Sequence, residues 1–380
     1  MSAITKKQHY IPQFILKKFC NDKEQVYECL LNEQKTYPVN IIDSMTESYA
    51  YEHPLLKINT IEHWFSNWES TIAPEIGSMS RYLENEEVDI IKIKKLVITN
   101  MFNFLMLYYR SGALLFEFSC DMKNEENRIY EMSKKILDRD YLVLLSQTIT
   151  QQYEFAILES AQGDFLLSDQ FLSTAALSIK NKYAKISNRC MGLKDVMILI
   201  PISKRFYAIF FNGVVPKYIQ TNKMNVLNEA QTIEINRVII SNSYKKCISY
   251  NKDAILAVLS NYKQTMPSKL VAGYENNSYR VIIKKEVFLY DRDIKTWNFI
   301  MIPIKSDHFN GIGRNDQCSC GSKKVFKVCC KPAFDIALSI LEPLFKNNAY
   351  PIADVNLSND AVSSGATIEK SIMEVFIVQN

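Results

Sequence analysis

Residues 313–330 read Gly-Arg-Asn-Asp-Gln-Cys-Ser-Cys-Gly-Ser-Lys-Lys-Val-Phe-Lys-Val-Cys-Cys, and this stretch holds four of the nine cysteines of the 380-residue chain. Zinc prefers four nitrogen or sulfur ligands in a tetrahedron, and the stretch supplies a complete set of thiolates. Such a site is closed, because no coordination position remains for a catalytic water. The sequence therefore predicts a structural zinc site with the ligands Cys318, Cys320, Cys329 and Cys330.

The spacing of these cysteines also predicts the backbone around the metal. The Cys318-x-Cys320 pair is followed by Gly321, which is typical of a reversing loop. The adjacent residues Cys329 and Cys330 reach one ion only from a turn or a helix start, where neighbouring side chains diverge by about 100°. Lysines surround the thiolates and predict a small basic face that offsets their negative charge: Lys323, Lys324, Lys327 and Lys331.

A disulfide cluster is the alternative use of four close cysteines. The chain shows no secretory signal, and the remaining cysteines are scattered singly, as buried thiols of a reducing compartment would be. These are Cys20, Cys29, Cys120, Cys190 and Cys247. The pattern favours bound zinc and predicts a cytoplasmic location.

The cysteine stretch resembles the SEC-C motif, a small zinc element found at the end of the preprotein translocase ATPase and in many unrelated bacterial proteins. The similarity covers residues 313–330, with Ser319 where the motif usually has proline. The resemblance implies zinc and contact with partner proteins or the ribosome, and it implies no reaction. We expect this knuckle to dock a protein partner or a nucleic acid.

Composition places the rest of the chain among folded proteins. Forty-seven per cent of the residues are apolar, and the net charge of +4 is too mild to indicate a nucleic-acid binder by itself. The longest apolar run, 96–115, has the length of a membrane span, but Asn100, Asn103 and Arg110 interrupt it. A buried core helix is the better interpretation, and no membrane contact is expected.

The order of patterns predicts an α+β fold with a helix-rich main domain, a small antiparallel sheet and a small C-terminal zinc knuckle. We expect the main domain over 1–305, a linker over 306–312, the knuckle over 313–332, and a C-terminal helix and tail over 333–380. One short helix is predicted after Pro12. Further helices are predicted over 59–83, 88–120, 125–151, 229–244, 253–262 and 334–345. The predicted strands cover 25–31, 153–158, 165–167, 196–201, 206–211, 279–290 and 297–304, with a turn at 291–293 and a loose segment at 356–366.

The N-terminal run 8–19 begins Gln8-His9-Tyr10-Ile11-Pro12. Together with Asn59-Thr60-Ile61-Glu62, Glu69, Tyr108-Tyr109-Arg110 and Leu167-Ser168-Asp169, it resembles the bacterial family called domain of unknown function 4238. The similarity covers about residues 6–260. The family usually continues the Ser-Asp pair with Asn-Pro, whereas this chain has Gln170-Phe171. The resemblance implies no established activity, although such proteins are suspected effectors in defence against phage.

Five residues of these motifs form a candidate catalytic set: His9, Glu62, Glu69, Arg110 and Asp169. They combine a general base or metal ligand, three acids and a guanidinium able to hold a phosphate. This chemistry suits acid–base or metal-assisted cleavage of a phosphodiester, with Mg²⁺ or Mn²⁺ as the metal. The resulting hypothesis is that the chain is an intracellular bacterial effector that acts as a metal-dependent nuclease in phage defence.

Each member also has a structural interpretation. His9 precedes a helix start and is placed to hydrogen-bond its backbone. Asn59 and Glu62 have the spacing of a capping box, and Glu62 and Glu69 lie about 10.5 Å apart along a helix, too far to clasp one ion unaided. Arg110 is expected either to bridge an acid or to face a ligand, and Asp169 is equally suited to cap a turn. The alternatives are a non-enzymatic adaptor or sensor, or a factor associated with ribosomes or chaperones.

Overall fold

The computed structural model describes residues 5–85, 88–111, 129, 132–133, 136–162, 164–179, 191–260, 262, 268–274, 277–283, 286–301, 309, 311–346 and 349–353. The chain divides into two compact units. Unit 1 holds the described residues up to Thr174 and those from Ile198 to 262. Unit 2 holds the described residues of Ala175–Met197 and those from 268 to 353.

The described helices carry the labels α1 to α9 in chain order. Unit 1 contains α1 (Gln13–Leu16), α2 (Thr60–Leu83), α3 (Ile90–Thr99), α4 (Met101–Arg110), α5 (Arg139–Gln152), α6 (Glu229–Asn242) and α7 (Lys252–Leu259). Unit 2 contains α8 (Asp291–Met301), a 3₁₀ helix (Phe326–Val328) and α9 (Lys331–Lys346).

The described strands form four small sheets. The first is an antiparallel pair of β1 (Lys7–His9) and β4 (Thr46–Ser48). A four-stranded antiparallel sheet has the order β3-β2-β11-β6, formed by Lys35–Asn40, Gln25–Leu30, Lys246–Ser249 and Leu167–Ser168. A five-stranded sheet has the order β10-β5-β9-β8-β7, formed by Met224–Leu227, Glu154–Ser160, Phe206–Asn212, Val196–Pro201 and Ser173–Ala176. The last sheet, β13-β12-β14, is formed by Asn277–Ile283, Ser268–Tyr274 and Ala349–Ala353.

The core of unit 1 lies around the five-stranded sheet. Strand β8 is buried at every position, and β5 and β9 are buried at all but one. These strands read as continuous apolar runs rather than as alternating patterns, which is typical of strands covered on both faces. Helix α6 begins with a capping box, in which Asn228 and Gln231 each accept the backbone N–H of the other at 3.0 Å.

The predicted α+β class is confirmed, and most predicted elements of unit 1 appear within a few residues of their expected bounds. The expected helix over 88–120 is two helices within its described part, and Asn100 lies between them. The Asn100 side chain donates to the Leu96 carbonyl at 3.1 Å, so it competes with the backbone for the helical acceptor. Residues 112–120, most of 125–135 and the whole of 356–366 lie outside the described residues.

The expected strand over 297–304 is wrong for its described part. Residues 291–301 form α8, and the predicted turn at 291–293 is its first turn. Asp291 and Asp293 there are favourable, because carboxylates complement the positive end of a helix dipole. The predicted strand over 279–290 is shorter than expected, with β13 ending at Ile283 and a single parallel bridge joining Phe288 to Ala176.

Among the described helices, we find none that combines the length and the apolar character needed to cross a membrane.

Replacing Asn236 by aspartate tests how α6 is fixed in unit 1. Asn236 is buried, accepts from the Leu166 N–H at 3.0 Å and donates to the Asp164 carbonyl at 2.8 Å. Aspartate retains the acceptor and loses the donor, so we expect Asn236→Asp to lower the free energy of unfolding by about 2 kcal/mol in urea titrations. Asn212→Asp is the control, since Asn212 makes an exposed bond of the same kind to Gln152. Equal losses in both variants would contradict this account.

Candidate acid–base cluster and metal-binding knuckle

The strand β1 carries His9 into unit 1 beside a network of buried polar groups. The preceding residue, Gln8, is fully buried. Its side chain accepts from the Tyr51 N–H at 2.7 Å and donates to the Glu52 carboxylate at 2.9 Å. The Glu52 carboxylate also accepts the N–H of Asn59 at 3.2 Å. These contacts fix the backbone on which His9 lies and the approach to α2.

Arg110 is the centre of the cluster. It ends α4 and is 1% exposed, so its permanent charge needs partners inside the protein. Nη1 forms an ion pair with Glu69, Nη2 donates to the His9 carbonyl at 2.8 Å, and Nε donates to the Tyr51 hydroxyl at 3.3 Å. The guanidinium lies over the Phe65 ring at 4.1 Å. Arg110 therefore acts as an internal bridge, and in this geometry its side chain is not exposed to a phosphate.

Glu62 lies in the field of the same charges. Burial raises the pKa of the Glu62 carboxyl, and the opposing effect of Arg110 is smaller. Its Oε2 atom is buried and has no hydrogen-bond partner among the described residues. The capping box proposed for Asn59 and Glu62 is not formed, because Asn59 adopts a left-handed φ of 63° and its side chain accepts from the Thr5 N–H at 3.0 Å. Glu62 is thus an incompletely satisfied acid.

The imidazole of His9 has one committed nitrogen. Nε2 lies 3.1 Å from the Ile41 carbonyl, which only accepts, so Nε2 carries a proton. Burial lowers the pKa of His9, and the nearby charge of Arg110 lowers it further, so the ring is neutral near pH 7. No hydrogen bond within the described residues engages Nδ1. A neutral His9 therefore offers Nδ1 as a proton acceptor.

Asp169 is held differently from the other candidates. It is fully buried, and its carboxylate accepts the backbone N–H groups of Tyr244, Lys245 and Lys246 at 3.0, 2.7 and 2.9 Å. These bonds fix the start of β11, a segment that is remote from Asp169 in the sequence. The described contacts bring together His9, Glu69 and Arg110, and Glu62 interacts electrostatically with Arg110 and Glu69. They do not include Asp169.

Sequence reasoning missed Tyr51 and Glu52. Tyr51 accepts from Arg110, and Glu52 joins Gln8 to the start of α2. Both residues follow β4, and neither belongs to a recognisable sequence motif. The available signal was Gln8, a polar residue next to His9 whose burial requires a partner.

The second candidate site is the cysteine knuckle of unit 2. The ligand atoms of Cys318, Cys320, Cys329 and Cys330 lie within 4.8 Å of one another, and they are the group within the described residues that could hold a metal ion. The sulfur of Cys329 is 3.5 Å from that of Cys320 and 3.8 Å from that of Cys330. Tetrahedral bonds of about 2.3 Å to zinc place thiolate sulfurs about 3.8 Å apart. The donor set therefore fits zinc.

The backbone of the knuckle follows from its sequence. Gln317 and Val325 form an antiparallel bridge, and the Cys318 N–H donates to the Lys324 carbonyl at 2.8 Å. Gly321 adopts a φ of +79°, which reverses the chain between the ligand pairs, as the Cys-x-Cys-Gly pattern predicts. The 3₁₀ helix ends just before Cys329, and α9 begins just after Cys330. The adjacent ligands thus lie at a turn that leads into a helix.

The knuckle packs into the core of unit 2. Cys318, Cys330 and Phe326 belong to one buried cluster with residues of α8 and α9. The Phe326 ring lies 5.8 Å from that of Phe309 and 6.1 Å from that of Phe334. Phe299 of α8 lies 5.5 Å from Phe334. The ligands are therefore fixed on the same apolar core that joins these helices.

Replacing Glu62 by glutamine tests whether its ionisation opposes folding. A pKa that is raised in the folded state makes the ionised form destabilising, and this loss of stability appears as pH rises above the ordinary carboxyl value. We expect Glu62→Gln to raise the melting temperature at pH 8, and we expect the gain to shrink towards pH 4. Exposed Glu75 lies on the same helix, so Glu75→Gln is the control. A gain for Glu62→Gln that does not change with pH would contradict this account.

Comparisons with known proteins match both parts of the chain. A family model described as protein of unknown function (DUF4238) matches residues 7–253, and the SEC-C motif matches residues 314–332. No curated protein and no solved structure matches the chain. Both resemblances expected from the sequence are confirmed. Because the first match covers more than half of the 380 residues, the protein belongs to the DUF4238 family, and it carries a SEC-C motif near its C-terminus.

Proposed function

We propose that the protein is an intracellular bacterial effector that hydrolyses phosphodiesters by acid–base catalysis and acts in phage defence. The observation that carries this proposal is the environment of His9 and Glu62. Burial lowers the pKa of the base, His9, and raises the pKa of the acid, Glu62, which suits general acid–base catalysis near neutral pH. His9 Nδ1 accepts a proton from the attacking water, and Glu62 protonates the leaving oxygen.

Arg110 and Glu69 have supporting roles in this mechanism. Arg110 fixes the His9 backbone through its bond to the carbonyl, and Glu69 neutralises the guanidinium. The charge of Arg110 opposes the rise that burial causes in the pKa of Glu62. Loss of Arg110 would leave Glu69 without its partner and His9 without its anchor.

A single-stranded nucleic acid is the proposed substrate. Tyr49 is 46% exposed and follows β4, and its N–H donates to the carbonyl of Lys6 at 3.0 Å. The backbone of Tyr49 therefore lies next to the strand that carries His9. Ile58, also exposed, immediately precedes α2. An exposed aromatic ring near this strand suits base stacking.

Divalent ions enter the proposal as an optional component. Carboxylates such as those of Glu62 and Glu69 are typical ligands of Mg²⁺ or Mn²⁺, but Glu69 is paired with Arg110. The acid–base mechanism needs only groups already present in the cluster. Activity with and without each ion separates the two mechanisms.

We further propose that the knuckle binds zinc and docks the protein to a protein partner or a nucleic acid. Its sulfur spacing fits a tetrathiolate zinc site. Val328 is 70% exposed, and it lies close in sequence to exposed Lys323, Lys324 and Lys327. This face offers apolar contact and positive charge to a partner. The seven described cysteines are all free thiols, which supports a cytoplasmic location.

A non-enzymatic adaptor or sensor is the second candidate. It is favoured by the buried ion pair of Arg110 and Glu69, which bridges α2 and α4 as a structural element would. In this case the polar cluster stabilises unit 1, and recognition belongs to the knuckle. A ribosome- or chaperone-associated factor would be one such adaptor.

Nuclease assays with matched variants test the catalytic proposal. We expect the protein to cleave single-stranded RNA or DNA, and we expect His9→Ala to lower the rate at least about 100-fold, the usual contribution of a general base. Glu62→Gln should lower the rate while raising stability at pH 8, which separates catalysis from folding. Glu75→Gln is the control and should retain full activity. Substrates should include tRNA and ribosomes, each assayed with EDTA, Mg²⁺ or Mn²⁺.

The adaptor would be favoured if the folded protein cleaves none of these substrates. Cleavage that survives in His9→Ala would likewise exclude the proposed base.

Metal analysis tests the knuckle. We expect one zinc ion per chain by elemental analysis, and we expect Cys318→Ser to lose it. Because Cys318 belongs to the apolar cluster of unit 2, hydrogen exchange should rise in α8 and α9 and stay unchanged in β5 and β9. Cys20→Ser is the control, since Cys20 lies outside the metal group. Retention of zinc by Cys318→Ser would overturn the assigned ligand set.

A further inference from the structure

Two cysteines outside the knuckle lie directly opposite each other in the four-stranded sheet. Cys29 of β2 is the antiparallel partner of Cys247 of β11. Both are free and fully buried, although 217 residues separate them in the sequence. Directly opposed residues of an antiparallel pair present their side chains on one face of the sheet. The two thiols are therefore neighbours in the same apolar layer.

The register gives the spacing of this pair. The Leu31 N–H donates to the Lys245 carbonyl at 3.0 Å, so these opposed residues form a hydrogen-bonded pair. Such pairs alternate along an antiparallel ladder, and Cys29 and Cys247 lie two positions away, so they form another. Hydrogen-bonded pairs have Cα atoms about 5.5 Å apart, within the range of about 4.4–6.8 Å found in disulfides. Bond formation then draws the Cβ atoms together by about 1 Å.

We propose that Cys29 and Cys247 form a reversible disulfide when the protein meets hydrogen peroxide. The Cys29 thiolate attacks one peroxide oxygen, so that an S–O bond forms, the O–O bond breaks and hydroxide leaves. Cys247 then loses its proton and attacks the sulfenic sulfur, so that the S–S bond forms and the S–O bond breaks. The two thiols lose two electrons, and peroxide is reduced to two water molecules.

The environment assigns the two cysteines different roles. The interaction of Cys29 with the Cys247 thiol lowers the pKa of Cys29 to about 7, against the opposing effect of burial. The pKa of Cys247 is raised well above the ordinary value by the same contact and by burial. Cys29 lies on β2, next to the edge strand β3, and we assign it as the attacking thiolate, with Cys247 as the resolving thiol.

Strand β3 provides the route by which peroxide reaches Cys29. It is an edge strand of this sheet, and every residue in it is at least partly exposed. Thr36 of β3 lies opposite Cys29 on the side away from Cys247. Cys29 is thus one strand from solvent, and local opening of an edge strand is a low-energy event. The reaction needs no opening of the whole core.

A disulfide here would act on β11. Lys246 of this strand forms an ion pair with buried Glu28 at 2.8 Å, and its N–H is one of the groups bound by Asp169. A covalent bond between β2 and β11 closes a ring of more than two hundred residues, which restricts the unfolded chain strongly. Oxidation should therefore raise the melting temperature by several degrees, and a thiol reductant should reverse the gain.

Peptide mapping of the zinc-loaded full chain tests the proposal. After peroxide treatment and thiol blocking, we expect a linked peptide that contains Cys29 and Cys247. The rate at which the linked peptide forms should rise about tenfold from pH 6 to pH 8, as for a thiol of pKa about 7. An ordinary cysteine would give a rise of roughly a hundredfold over the same range. Cys20→Ser is the control and should form the same link.

Cys247→Ser should stop at the sulfenic acid of Cys29, which dimedone labels. If this variant fails to fold, the linked peptide measured in the wild-type protein still tests the proposal. Peroxide that oxidises Cys20 or the knuckle without producing the linked peptide would overturn the proposal. A link that joins Cys29 to any other cysteine would also overturn it.

Discussion

The burial of the Arg110 guanidinium is the constraint on which the candidate site depends. Arginine stays charged at every physiological pH, and an unpaired buried charge costs several kcal/mol. Unit 1 meets this requirement with Glu69 from α2, the His9 carbonyl from β1 and the Tyr51 hydroxyl. These groups come from three different segments of the chain. The need to satisfy one cation therefore brings β1 and α2 together at the end of α4.

Burial and the charge of Arg110 affect the pKa values of both His9 and Glu62, but they combine differently at the two residues. Both effects lower the pKa of His9, since each opposes a second positive charge. They oppose each other at Glu62, where burial dominates and the pKa rises. A neutral imidazole and a carboxyl inclined to protonation thus arise beside one guanidinium. The buried Oε2 of Glu62 gains no hydrogen bond within the described residues, so this carboxyl is incompletely satisfied there.

Sequence patterns predicted the parts of the structure that local chemistry determines. Four thiolates within thirteen residues define a metal site whatever the rest of the chain does, and continuous apolar runs located β5, β8 and β9. The pattern failed at α8, where Trp297 and Phe299 alternate with polar residues as they would in a strand. Both side chains are nevertheless buried in the unit 2 cluster, so tertiary packing decided the element.

The candidate site shows a similar limit. Motif residues indicated that His9, Glu69 and Arg110 belong together, but the bond from Arg110 goes to a backbone carbonyl, which no side-chain pattern encodes. Asp169 is a second case, because its partners are the N–H groups of residues 244–246. Backbone groups are present at every position, so the amino-acid sequence does not show which of them will act as partners. A buried charged residue can therefore be recognised from sequence as a residue that needs partners, whereas the choice between structure and catalysis depends on whether backbone groups supply them. The charged groups of Arg110 and Asp169 have partners within the protein, whereas His9 Nδ1 and Glu62 Oε2 make no hydrogen bond within the described residues.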